Sequence, residues 1–344
     1  MLYTSTRKEQ ETYTAQRVLR ENRAPDGGLF VPYRLPRLTD EEIEGLGSCS
    51  FNSAVASVLN LLFGTRFTGY DVGFSIGRNT VRLKGLGHRV TVAECWHNLE
   101  SEFPRIVRNL TGLLSGGQAE YSEWANVGIR IAVLFGIFSE LTRGGIAGPG
   151  KKVDIALVSG DFSGPMSAWY ARRMGLPIGN IICCCNDNGN LWDFVSHGQL
   201  RTDGVAVATD TPEADVVVPT GLERLICAAG GTGEVEAYLE AVRRGGSYFA
   251  EGALHQQLRA GLQAAVISRR RVLDTIPRVY GTHAYLPSPY TALAYAGLQD
   301  YRARTGESRW ALILAEKSPE KDLNTVAQAL GITPAELKKH LDRT

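Results

Sequence analysis

The sequence is poor in lysine and in cysteine, and neither sign of charge prevails. Only eight of its 37 basic residues are lysine. Lys and Arg total 37 against 36 Asp and Glu, a net charge of +1. That balance excludes bulk electrostatic attraction to nucleic acid or to an anionic membrane. Six cysteines in 344 residues exclude a disulfide scaffold, and with no C-x-x-C pair the usual zinc frameworks are absent too. No run approaches the ~18 apolar residues of a membrane span. The opening MLYTSTRKEQET lacks the apolar core of a signal peptide. The expectation is a soluble, cytoplasmic protein of a reducing compartment, with no metal, membrane or nucleic-acid partner.

What is present suits a sizeable core. Hydrophobic residues make up 44% and charged residues 21%, which excludes global disorder. Residues Arg23–Pro36, rich in Pro and Gly, read as an extended arm. Thr39 followed by DEE predicts a capped short helix. Phe51–Phe63 predicts a core helix, Val90–Cys95 a short strand and Arg105–Leu114 an amphipathic helix. Trp124, Val127, Ile131, Leu134, Phe135 and Phe138 recur at three- and four-residue steps and predict a long helix. The glycine-rich segment from Gly144 to Gly150 ends it.

Val153–Val158 is a continuous apolar run, as in a buried parallel strand. Ser159–Gly164 follows as a tight polar loop. Pro165 suits the first position of a helix that stops at Gly175. The run Ile181-Ile182-Cys183-Cys184-Cys185 predicts a buried strand that uses cysteine as a small hydrophobe. Together these form a β-loop-α-β crossover. A long helix from Glu251 to Leu273 and a strand Trp310–Ala315 complete the α/β pattern. Near the C-terminus, DLNTVAQALGITPAELKKHL predicts two helices about Gly331. A helix-turn-helix is set aside because the chain has no strong basic footprint. GGTGEV at Gly230–Val235 lacks the third glycine of a dinucleotide loop and reads as a turn.

Several segments, in order, resemble threonine synthase, a pyridoxal-phosphate enzyme of the tryptophan-synthase-β group. They are YTSTR (Tyr3–Arg7), APDGGLFVP (Ala24–Pro32), AECWHNLESEFPR (Ala93–Arg105), VSGDFSG with MSAWYARRMGLPIGNIICCCND (Val158–Asp187), LPSPYTALAYAGL (Leu286–Leu298) and LAEKSPEKD (Leu314–Asp322). The resemblance implies an α/β, fold-type-II (tryptophan-synthase-β-like) main domain. It implies an N-terminal arm and helical region over residues 1–89, and the main domain with a helical tail over 90–344.

The departures decide the expected activity. The family's active-lysine segment reads E-L-x-H-G-P-T-x-A-F-K-D. Matching Phe103 to its Phe puts Pro104 at the lysine and Arg105 at the Asp. Proline suits the first turn of a helix, so the fold tolerates a change that the lysine's chemistry does not. His97 is retained and reads as structural, whereas Glu100 and Glu102 add negative charge where the family receives O-phosphohomoserine. The family's small domain lies between the lysine helix and the next loop, and carries S-G-D-T-G. Arg105 to Gly160 is too short for such a domain, and the motif is absent.

The candidate cofactor-binding residues are therefore His97 and a vestigial phosphate loop, Ser159, Gly160, Asp161, Phe162, Ser163 and Gly164, with no catalytic residue assigned. Pro165 and the charge of Asp161 weigh against anion binding there. Lys84, Lys151, Lys152, Lys317 and Lys321 read as surface lysines and Glu316 as an ordinary loop carboxylate. His88 and His97 lack a ligand spacing. The expectation is a non-catalytic homologue with a binding, regulatory or subunit role, alone as a homo-oligomer or with an active threonine-synthase-like partner. It needs no cofactor and would hold pyridoxal phosphate only non-covalently, and its ligand is a small anion or amino acid. The alternative is a divergent pyridoxal-phosphate lyase with a relocated lysine, or chemistry built on His97, Glu100, Glu102 and Asp161.

Overall fold

The computed structural model describes residues 1–77, 80–96, 103–117 and 122–342. Its centre is a six-stranded sheet. The strands that build the molecule's sheets are β1 (Leu2–Ser5), β2 (Tyr13–Thr14), β3 (Phe30–Pro32), β4 (Arg82–Gly87), β5 (Val90–Glu94), β6 (Val153–Val158), β7 (Ile178–Cys185), β8 (Gln199–Arg201), β9 (Ser247–Phe249), β10 (Leu262–Val266) and β11 (Ala311–Ala315). The central order is β10-β7-β6-β11-β5-β4. Every neighbouring pair is parallel except β4 and β5, an antiparallel hairpin. Its two turn residues, His88 and Arg89, both have positive φ, 47° and 57°, the twist that suits a two-residue hairpin. The arm strands β1, β2 and β3 form a separate three-stranded sheet, and β8 pairs with β9.

Alternation along the strands feeds two apolar layers. Ile155, Leu157, Ile181, Cys183, Cys185 and Leu312 join one core, with the helices Phe51–Phe63 and Glu123–Arg143. Ala156, Ile182, Cys184 and Ile313 join the other, beneath the helices Arg269–His283 and Pro289–Thr305. A parallel sheet covered on both faces explains why its strands read as continuous apolar runs. The cysteine triplet has a steric reason on the second face. A Cβ at Gly297 would lie 2.3 Å from Cys184 Sγ, so helix and strand meet closely only because both residues are small.

Three sequence expectations are corrected. The segment from Glu251 to Leu273 is not one helix: a helix Gly252–Gly261 gives way to β10, and a second helix starts at Arg269. Parallel pairing of Leu262–Val266 with Ile181–Cys185 wins over local helix propensity. The helix after β6 begins at Ser163, not Pro165, and ends at Arg173. Asp161 holds the Ser163 N–H, and Pro165 falls within the first turn, where its missing N–H breaks no helical bond. One helix, Glu123–Arg143, is long and apolar enough by composition to cross a membrane, yet 83% of its most apolar window is buried inside the protein. Gly128 and Gly136 let it pack against Phe63, Phe51 and Val55.

Between the helix Phe103–Ser115 and β6 the described residues contain that long helix and a connector, with no strand, so no second α/β domain stands there. The connector leads into the N-terminal end of β6. The C-terminal helices Leu323–Leu330 and Pro334–Leu341 turn at Gly331 (φ 69°) and bury Val326, Ala327 and Leu337 in the second core.

Gly297→Ala should cost about 1–3 kcal/mol of unfolding free energy by overpacking, with partial recovery in the double variant Gly297→Ala/Cys184→Ala. Urea melts of the three chains measure this.

Candidate functional site

In an open parallel sheet, ligands bind at the carboxyl ends of the strands. Here that end carries a cleft of about 440 Å³. Its lining comes from the loop after β6, the segment after β11, and the helices that start or pass beside them. Pro104, Arg130, Asp161, Glu213, Tyr290, Glu316 and Lys317 supply its chemistry.

Pro104 stands in the first turn of its helix, which is docked to the sheet through a hydrogen bond from Phe103 N–H to the Glu316 carbonyl at 3.1 Å. The proline ring offers the cleft neither a charge nor a nucleophile. Beside it, Arg130 pairs with Glu316. Arg130 Nε donates to Asn126 Oδ1 at 3.0 Å, and its guanidinium carbon lies 4.3 Å from the Phe103 ring centre. Burial disfavours the Arg130 charge, but Glu316 and Asp161 outweigh it, and the guanidinium holds its proton more firmly than usual.

Lys317 forms a second pair, with Glu213. Its ammonium lies 4.3 Å from the centre of the Tyr290 ring and donates to Tyr290 Oη at 3.3 Å. The Lys317 side chain is only 14% exposed. Burial first, then Glu213, push the Tyr290 phenol well above its ordinary range, so it remains neutral. The loop completes the cleft. Gly160 (φ 44°) and Phe162 (φ 73°) both take left-handed conformations. Asp161 Oδ1 accepts from Ser163 N–H at 2.9 Å and from Ser163 Oγ–H at 2.6 Å. Ser159 Oγ donates to the Cys184 carbonyl at 3.3 Å.

The loop Ser159–Gly164 thus lies where the sequence placed it, beside Pro104. Lys317 and Glu316 are corrections: neither is an ordinary surface group, since both line the cleft in ion pairs. Lys84, Lys151, Lys152 and Lys321 are exposed. His88 lies in the β4–β5 turn, at the end of β5 away from the cleft. His97, Glu100 and Glu102 lie outside the described residues. The connector Gly144–Gly150 does not fill the cleft, because it sits before β6 and the cleft lies after it. Sequence reasoning missed Arg130, Glu213 and Tyr290. Arg130 did carry a signal: it is the only charged residue between Trp124 and Ser139, and an isolated charge in an apolar helix calls for a buried partner.

Sheet order, two-sided helical cover and a cleft at the strand ends define a fold-type-II pyridoxal-phosphate architecture. The chain is similar over 97% of its length to the pyridoxal-phosphate-bound threonine synthase structure from Brucella melitensis, with a TM-score of 0.84, 19% identity and 92% of that chain covered. The family model described as threonine synthase N terminus matches residues 2–76. Human threonine synthase-like 1 is 32% identical over 161 residues, 46% of this chain and 22% of the relative. Threonine synthase from Saccharomyces cerevisiae is 23% identical over 249 residues, 65% of this chain and 48% of the relative. Residues 2–76 are thus similar to the N-terminal region of threonine synthases, and the fold as a whole is that of the threonine synthase structures. The chain's match spans about a fifth of the human relative's length and about half of the yeast one's.

Pro104 gives the cleft no amine, and the Asp161 carboxylate engages the first N–H of the helix behind the loop.

Removing one member of the Arg130–Glu316 pair leaves the other charge half-buried and unmatched. Arg130→Met or Glu316→Gln should each destabilise by about 1–3 kcal/mol, less than the ~3–5 of a fully buried pair, because Glu316 is 30% exposed. Thermal and urea unfolding of both variants check this.

Proposed function

We propose that this chain is a non-catalytic threonine-synthase-like protein whose cleft binds a ligand without transforming it. The observation that carries the reading is Pro104, a residue with no amine at the position matched to the family's Schiff-base lysine. A tertiary amide nitrogen cannot condense with an aldehyde or carry a substrate proton, so the ancestral reaction lacks its central group. The cleft's charges are largely used up among themselves: Arg130 with Glu316, Lys317 with Glu213. Such groups hold a shape and orient a small polar ligand, here an amino acid or a related anion.

A regulatory or subunit role, as a homo-oligomer or beside an active relative, is the accompanying part of the proposal. Its support is the helix Gly69–Ile76, on which Tyr70 and Phe74 stand one turn apart and are 75% and 86% exposed.

One observation favours a second reading. Lys317 lies in the cleft with a phenol and a carboxylate beside its amine. A divergent pyridoxal-phosphate lyase with its lysine relocated to that position would use this group, with O-phosphohomoserine or a related amino acid as substrate.

Incubating the chain with pyridoxal phosphate and O-phosphohomoserine and assaying threonine separates the two. The first reading expects no threonine above the protein-free rate. Threonine formation that Lys317→Ala abolishes would establish the second.

A further inference from the structure

The loop after β6 has the backbone of an anion site and the side chain of its opposite. The start of the helix Ser163–Arg173 presents N–H groups and the positive end of the peptide dipoles, a setting in which proteins hold phosphate. In this chain part of that donor set is engaged internally. Phe162 N–H donates to the Ser159 carbonyl at 2.8 Å, and Met166 N–H to the Phe162 carbonyl at 3.0 Å. Ser163 gives both its N–H and its hydroxyl to Asp161 Oδ1, at 2.9 and 2.6 Å. Pro165 has no N–H to give.

The loop is also held from outside. The Asp161 carbonyl accepts from Gly221 N–H at 2.9 Å, and a side chain at Gly221 would meet that oxygen at 2.8 Å. The carboxylate acts in the other direction as well. With Glu316 it supplies the negative charge that balances Arg130, the cation a phosphate would otherwise find. Lys317, the cleft's other cation, is paired with Glu213. A phosphate entering here meets three carboxylates and two cations already matched.

We propose that Asp161 is the specificity determinant of this cleft: its carboxylate stands in for a bound phosphate and bars phosphate-bearing ligands. The inference deepens the non-catalytic reading and rests on it, since it says why the cleft rejects a phosphorylated cofactor as well as why it could not use one. It assigns the cleft to ligands without a phosphate. Asp161 is a built-in anion, and the helix start behind it is a phosphate site closed by one side chain.

The test titrates inorganic phosphate into the full chain and into Asp161→Asn and Asp161→Gly by calorimetry, with circular dichroism as the check on folding. Asp161→Asn keeps an oxygen for the Ser163 N–H and removes only the charge; Asp161→Gly frees the N–H as well. The expected result is a phosphate affinity raised by roughly tenfold or more in Asp161→Asn, and further in Asp161→Gly. An unchanged affinity in a folded Asp161→Asn chain would overturn the proposal. Amide NMR of the unaltered chain is a second arm that needs no variant. Saturable shifts of Gly160 and Ser163 on adding phosphate would overturn the proposal, and their absence is expected. Pyridoxal phosphate bonded to Lys317 in preference to the exposed lysines would instead defeat the non-catalytic reading, so the two failures are distinguishable.

Discussion

A guanidinium in the middle of an apolar helix must be neutralised, and most of the cleft follows from that. Arg130 lies in a helix otherwise free of charge from Trp124 to Ser139, packed against the helix Phe51–Phe63. Its partner is Glu316, one residue beyond the end of β11. The pair ties the interior helix to the carboxyl end of the sheet. Phe103 reinforces the same point, with its ring beneath the guanidinium and its N–H on the Glu316 carbonyl. Pro104 follows directly, so this side of the cleft is fixed by an ion pair and a proline.

The cleft is therefore a set of settled charges. Two cations and three carboxylates face one another, with Asp161 balancing Arg130 from the loop side. Neither Pro104 nor the loop Ser159–Gly164 brings an amine into the cleft. The cleft's amine is that of Lys317, held by Glu213 and Tyr290. Closure of the chain between the helix Phe103–Ser115 and β6 into a single interior helix completes the change, since no second α/β domain stands there among the described residues.

Much of this was legible in the sequence where local and tertiary demands agree. Val153–Val158, Phe51–Phe63 and the crossover through the cysteine triplet follow from continuous apolar runs and helical periodicity. The reading failed where tertiary pairing outweighed propensity: Leu262–Val266 looks helical and becomes an edge strand because β7 offers a partner. Pro165 misled in a smaller way. A proline fits anywhere in a first turn, so it fixes the helix start only to within a few residues. The loop Ser159–Gly164 and Pro104 were found through motif order. Glu213 and Tyr290 were not, because they join the cleft from segments far apart in the chain, with nothing in local spacing to link them. Lys317 was visible but misjudged, since burial of a side chain by a distant ring cannot be read from neighbours in sequence.

The most direct test of the central claim is the intact mass of the chain after incubation with pyridoxal phosphate and reduction with borohydride. The account predicts no pyridoxyl group on Lys317 above the level found on the exposed lysines, because Pro104 offers no amine and Lys317 remains paired with Glu213. A single pyridoxyl adduct mapped to Lys317 would contradict it.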